Sequence, residues 1–281
     1  MRRGRLVAVV VTAVLAVVAG GFGVVAVVDL ADSFRLATTD RDCRVEASGR
    51  VALDPHQMAN AATIAAVGIR QQLPPRGVVV ALATALQESK LRNLRGGDRD
   101  SLGLFQQRPS MGWGTPRQIR DPRYAARRFY QGLKKVRGWE RMRVTDAAQR
   151  VQRSAFPEAY EKWVDEAQIL TRALLGQATG AVSCSVRAGR AGTDTAAVLR
   201  GLRLDWGQLS AAARGGDALA VSPGDVREGW RYAHWLVAHA AQHGVRAVTY
   251  GGLRWTAERG RWARTDGDGA EVTAEVFPAA G

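Results

Sequence analysis

Glu88 follows an apolar run, Val78 to Ala83, at a spacing that puts Thr84, Gln87 and Glu88 on one face of a helix. A carboxyl at the end of a buried helix is partly desolvated, which favours its neutral form. A neutral carboxyl is what a general acid for a glycosidic bond must offer near neutral pH. The plainer reading is a solvent face, with Glu88 paired to Arg92 at i+4. Downstream, Ser101-Leu102-Gly103-Leu104-Phe105-Gln106-Gln107 supplies a glycine where backbone approaches a ligand closely. Its two amides, Gln106 and Gln107, suit sugar hydroxyls and N-acetyl groups. Trp113, between Gly112 and Gly114, is either a platform for a sugar ring or a core residue.

The elements that must position these groups read as helices. Asp54 with Gln57 has capping-box spacing, Pro55 suits a first turn, and Met58, Ala61, Ala62, Ala65 and Ile69 recur at helical spacing up to Pro74-Pro75. A second helix is expected from about Gly77 to Leu91. A third starts at Asp121-Pro122 and stops at Gly138. Thr145 caps a short helix through Val151, and Pro157 opens a longer one ending at Gly176. Residues 50–176 therefore read as an all-helical domain. Residues 177–194, rich in Gly, Ala and Ser, read as a linker. Beyond them a helix is expected near 195–213 and another from Asp225 to His243. A hairpin follows, Val245 to Tyr250 and Leu253 to Ala257 around Gly251-Gly252, and then a strand over Glu271 to Phe277. The segment 195–281 is thus a small α+β domain, and the fold class expected for the whole chain is mainly α.

The 281 residues carry 46% apolar side chains, enough for a real core, which excludes wholesale disorder. Arg2, Arg3 and Arg5 in the tail 1–5 precede an uncharged run of 23 residues, Leu6 to Val28. That run is long enough to span a bilayer as a helix, and the basic flank places the body outside the cytoplasm. The expectation is a single transmembrane anchor over 6–28, a polar spacer over 29–49 and a cell-membrane location with the bulk of the chain extracytoplasmic. One span makes no transport path. Cys43 and Cys184 are the two cysteines, and in an exported protein the pair suggests a disulfide. It would close a loop worth roughly 5 kcal/mol in the chain-entropy model.

The net charge is +14, and among the basic residues only Lys90, Lys134, Lys135 and Lys162 are not Arg. Codon bias of a GC-rich genome explains this about as well as attraction to an anionic polymer. No nucleic-acid module is visible, so nucleic acid is not an expected partner. His239 and His243 have a spacing able to hold zinc, but no Glu follows the first and no third ligand is evident. No metal and no cofactor is expected. Trp230, Trp235, Trp255 and Trp262 read either as core or as a surface that stacks on sugars or peptides. No nucleophile-elbow or phosphate-loop motif occurs.

Glu88-Ser89 followed by Gly103-Leu104-Phe105-Gln106, the Trp113 loop, Asp121-Pro122, Tyr124 and the string Ala147 to Tyr160 resemble the lysozyme-like lytic transglycosylases, in a membrane-anchored actinobacterial branch. The resemblance covers about residues 50–176. Phe105 stands where the family has Met, and the family's Ala-Tyr-Asn motif is absent as such. The resemblance implies a peptidoglycan glycan strand as partner, with anionic wall polymers as a further contact. It implies Glu88 as the single acid/base, Ser89 holding Glu88 or an N-acetyl group, Gln106 orienting the glycan and Tyr160 in the place of the family's active-site tyrosine. The reaction implied is cleavage between N-acetylmuramic acid and N-acetylglucosamine with formation of a 1,6-anhydro sugar. Two alternatives remain open. One is a hydrolytic muramidase using Asp98 or Asp100 as second carboxylate; the other is a non-catalytic glycan-binding wall protein.

Overall fold

The computed structural model of the chain describes residues 43–154, 156–186, 194–266 and 269–278. Its first element is a hairpin of β1 (Cys43–Glu46) and β2 (Arg50–Leu53), each alternating buried and exposed side chains. Next come α1 (Pro55–Arg70), α2 (Pro75–Ser89), α3 (Pro116–Ile119), α4 (Pro122–Lys134), α5 (Val144–Gln152) and α6 (Val164–Leu174). The strand β3 (Val182–Cys184) then pairs antiparallel with β1, giving a three-stranded sheet of order β2-β1-β3. The remainder is α7 (Thr195–Trp206), β4 (Ser210–Ala213), β5 (Ala218–Ser222), α8 (Val226–Ala238), α9 (Ala240–His243), β6 (Val245–Tyr250), β7 (Leu253–Thr256), β8 (Arg261–Arg264) and β9 (Val272–Val276). These strands form one antiparallel sheet of order β4-β5-β9-β6-β7-β8.

The expectation of a mainly α chain is overturned. The described residues form an α+β structure with 48% helix, 19% strand and two antiparallel sheets. The middle region is not all-helical, because the β1–β2 hairpin opens it and β3 closes it from within the Gly-, Ala- and Ser-rich stretch. These strands are four residues or fewer, too short for a period-2 pattern to stand out. β4 is rich in alanine, which favours helix, so 195–213 read as one helix. Pairing of β4 with β5, and of β5 with β9, overrides that propensity. No helix among the described residues is long and apolar enough to cross a membrane, and the run Leu6 to Val28 lies outside them.

Local chemistry sets the helix ends. Asp54 caps α1 and Gln57 returns the bond to the Asp54 amide, completing the capping box. Thr145, expected as a cap, lies buried inside α5, whose N-cap is Arg143. Pro157 opens a 3-10 turn, Pro157–Trp163, and the α-helix starts only at Val164. In the centre, α2 is buried from Gly77 to Leu86 and packs against α1, α4, α5 and α6. α8 lies between α1 and α6 on one side and the six-stranded sheet on the other. Trp230, Trp235 and Trp255 are core residues, and Trp262 ties β8 to β3 through a bond to the Val182 carbonyl (2.8 Å). The described residues belong to one compact unit, Arg41–Gly281.

Two histidines of this core are spent on packing. The Ala181 amide donates to Nε2 of His234 (2.9 Å), leaving Nδ1 to donate to the Ala173 carbonyl (2.8 Å). His239 stacks on Trp235 and sits beside buried Asp205, which accepts from Thr63 (2.8 Å), Trp235 (2.7 Å) and Arg123. Burial lowers both imidazoles from 6.5 to about 4. On acidification the unfolded chain takes up these protons first. Stability is therefore full above about pH 6.5 and falls as the pH drops toward about 4, by roughly 3 kcal/mol per histidine. Denaturant titrations should show this loss already between about pH 6.5 and about 5, where most carboxylates remain ionised. A flat stability over that interval would contradict two buried neutral rings.

Candidate active site

The chain leaves α2 through two consecutive left-handed residues, Lys90 (φ 54°) and Leu91 (φ 59°). Such a conformation is costly for a buried, branched side chain. It fixes the end of α2, and with it Glu88. Each member of the polar stripe on α2 has its own partner. Thr84 donates to the Val80 carbonyl (2.7 Å), and Gln87 accepts from the Trp163 indole (2.8 Å). Glu88 Oε1 accepts from the Tyr160 hydroxyl (2.7 Å). Arg92, the expected partner of Glu88, reaches Asp54 instead (3.7 Å).

Glu88 is half-buried and faces an open groove of about 880 Å³, which Gln106 and Trp113 also line. With Oε1 taken by Tyr160, Oε2 is the oxygen left for a ligand. Tyr160 is fully buried behind Glu88, not on the groove wall. Its phenol is held well above its ordinary pKa, first by burial and then by the charge and hydrogen bond of Glu88. Tyr160 is therefore a positioning residue and not a ligand-stacking one. Tyr160→Phe should lower turnover on glycan roughly tenfold, the worth of about one hydrogen bond, with KM and the melting temperature nearly unchanged. A variant with wild-type turnover would remove this role.

The loop opposite is a tight hairpin in which Leu102 and Gln107 exchange backbone bonds (2.9 and 3.0 Å). Gly103 (φ 74°) packs against the Ile119 carbonyl, which a Cβ would approach to 2.7 Å, so the close approach is to protein and not to a ligand. Gln106, in the left-handed region (φ 47°), turns to the groove. Its amide is oriented by Ser101 (2.9 Å) and the Gly103 carbonyl (3.2 Å). Gly97 lies against that amide, since a Cβ there would sit 1.7 Å from Gln106 Oε1. Gln107 points the other way, is buried, and donates to the Ala125 carbonyl (3.1 Å). Ser89 is likewise buried; it donates to the Leu104 carbonyl (2.7 Å), clasping this loop to α2. Phe105 is a core residue stacked on Phe129 at 4.7 Å.

Of the expected site residues, Glu88, Gln106 and Trp113 therefore converge on one groove. Ser89, Gln107 and Tyr160 lie behind its surface. The two further carboxylates separate. Asp100 is bound by Arg108 (2.7 Å) and by the Ser110 amide and hydroxyl (2.8 and 3.0 Å), which hold it well below the ordinary carboxylate range. Asp98 is exposed on the groove. Two apolar groove residues are among those missed. Phe156 (73% exposed) and Met111 (61% exposed) present apolar faces to the groove, as a sugar-binding wall requires. Phe156 sits in a stretch without periodicity, so its aromatic type beside Pro157 was the one available signal. Cys43 and Cys184 are bonded, directly opposite each other on β1 and β3. No protein-family model matches the chain, and no curated protein is similar to it in sequence.

Proposed function

We propose that the chain is a peptidoglycan lytic transglycosylase of the lysozyme-like class, acting outside the cytoplasm. The observation that carries this reading is the half-buried Glu88, one oxygen held by Tyr160 and the other left for a ligand, lining a groove with Gln106 and Trp113. The Glu88 carboxyl donates its proton to the oxygen bridging N-acetylmuramic acid and N-acetylglucosamine, and the bond from that oxygen to C1 breaks. The resulting carboxylate accepts the proton of the muramic C6 hydroxyl as O6 bonds to C1. Glu88 ends protonated, the product is a 1,6-anhydro sugar, and no water is consumed. A single carboxylate thus serves where ordinary glycosidases use two. Gln106 orients an N-acetyl or hydroxyl group, and Trp113 with Phe156 supplies ring-stacking surface. The engagement of Asp100 by Arg108 favours this over a two-carboxylate hydrolase, leaving Asp98 as the one groove carboxylate a muramidase would use. The Cys43–Cys184 bond agrees with an oxidising compartment.

The test is incubation of the full chain with purified peptidoglycan. The expected result is steady release of soluble glycan. Sedimentation with the walls and no release at all would make the chain a glycan-binding protein.

A further inference from the structure

Six cations line the groove, Arg99, Arg108, Arg128, Lys135, Arg150 and Arg153, against the carboxylates Glu88 and Asp98. Arg108 is engaged by Asp100 and Arg99 lies 3.9 Å from Asp98. The wall built by α4 and α5 is different. Lys135 follows α4, Arg150 stands in the last turn of α5 and Arg153 follows it; all are exposed, and none forms an ion pair among the described residues. Arg150 feels Asp146, but Arg143 already grips that carboxylate (2.8 Å). Arg128 donates to the Gly112 carbonyl (3.0 Å), while its Nε is buried without a partner. The C-terminal ends of α2, α4 and α5 carry roughly half a negative charge each, too little to cancel this excess.

We propose that the α4–α5 wall is a subsite for carboxylates on the peptides that hang from the glycan, so that the preferred substrate is an acidic, unamidated glycopeptide strand. This rests on the reading of the groove as a peptidoglycan site. A phosphodiester would present the same anionic chemistry. The ring-closing step, however, needs a free C6 oxygen on the reacting sugar, whereas the peptide hangs from that same sugar at another carbon. A phosphodiester esterified at that oxygen would block the step, whereas a peptide's carboxylates can lie beside the scissile bond.

The experiment uses the full chain with Glu88→Gln, which binds without digesting. Its binding is measured by sedimentation with peptidoglycan freed of phosphodiester-linked polymers and with the same material after chemical amidation of its carboxylates, and by retention on beads carrying glycan strands stripped of peptide, which are soluble once their cross-links are gone. Binding to the first should be tighter than to the others by on the order of tenfold. Lys135→Gln with Arg150→Gln, or high salt, should abolish the difference. Equal binding to the three preparations, or a preference that survives the double substitution, overturns the subsite. So does a preference seen only with walls that keep their phosphodiester polymers. Wild-type chain that releases no glycan while Glu88→Gln shows the carboxylate preference would sink the catalytic reading and leave the subsite standing.

Discussion

Replacement of Glu88 by Gln is expected to lower glycan release by roughly a thousandfold or more, because one group supplies both the acid and the base step. Gln keeps the size and shape of Glu, and its carbonyl can still accept the Tyr160 hydroxyl at the place of Oε1. The half-buried position tolerates a neutral amide, so the melting temperature should hold. What is lost is the exchangeable proton. Rates of release measured side by side check this, and sedimentation with walls confirms that the variant still binds. A variant within a fewfold of wild type would mean that another group, Asp98 before any other, does the protonation.

The second large effect concerns stability. The Cys43–Cys184 bond joins residues 141 apart in sequence and fastens β3 to the middle strand of the three-stranded sheet. That sheet rests on α6 through β1 and β2, and α6 packs on α2, the helix that carries Glu88. Closing so long a loop is worth about 5 kcal/mol in the chain-entropy model. Replacing both cysteines by Ala should lower the melting temperature by roughly 10–20 °C, at about 2–4 °C per kcal/mol for a chain of this size. The oxidised chain should also run faster on a gel than the reduced one. Equal melting temperatures and equal mobility would contradict the clasp.

Features written in adjacent residues were legible in the sequence. Asp54 with Gln57, and Asp225 as a cap with Glu228 three residues on, mark helix starts that the structure repeats. Gly251-Gly252, both at positive φ, make the turn between β6 and β7 as their spacing suggests. Features that depend on distant partners were not. β1 reads as a polar spacer until Cys184 pairs with Cys43 across the sheet. Ala211 and Ala212 read as helix until Val221 and Ala220 pair with them. The same division runs through the site. The type of Glu88 and its helical face could be read, but its partner Tyr160, 72 residues away, could be named only as a groove residue. In the hairpin that carries them, Gln106 and Gln107 are equivalent by composition. Only the left-handed turn at Gln106 decides which amide faces the ligand. Lys135 caps the end of one helix and Arg150 sits in another, both with core on their other faces, so they read as ordinary solvated charge until the groove they line is seen.

The claim that Glu88 works alone, with the substrate's own hydroxyl as nucleophile, can be put directly to the product. Peptidoglycan digested by the full chain in water labelled with heavy oxygen should yield fragments that are one water lighter than hydrolysed ends and carry no label at C1. Fragments with reducing ends that hold the heavy oxygen would show that water attacks the sugar, and the account of a single-carboxylate transglycosylase would be wrong.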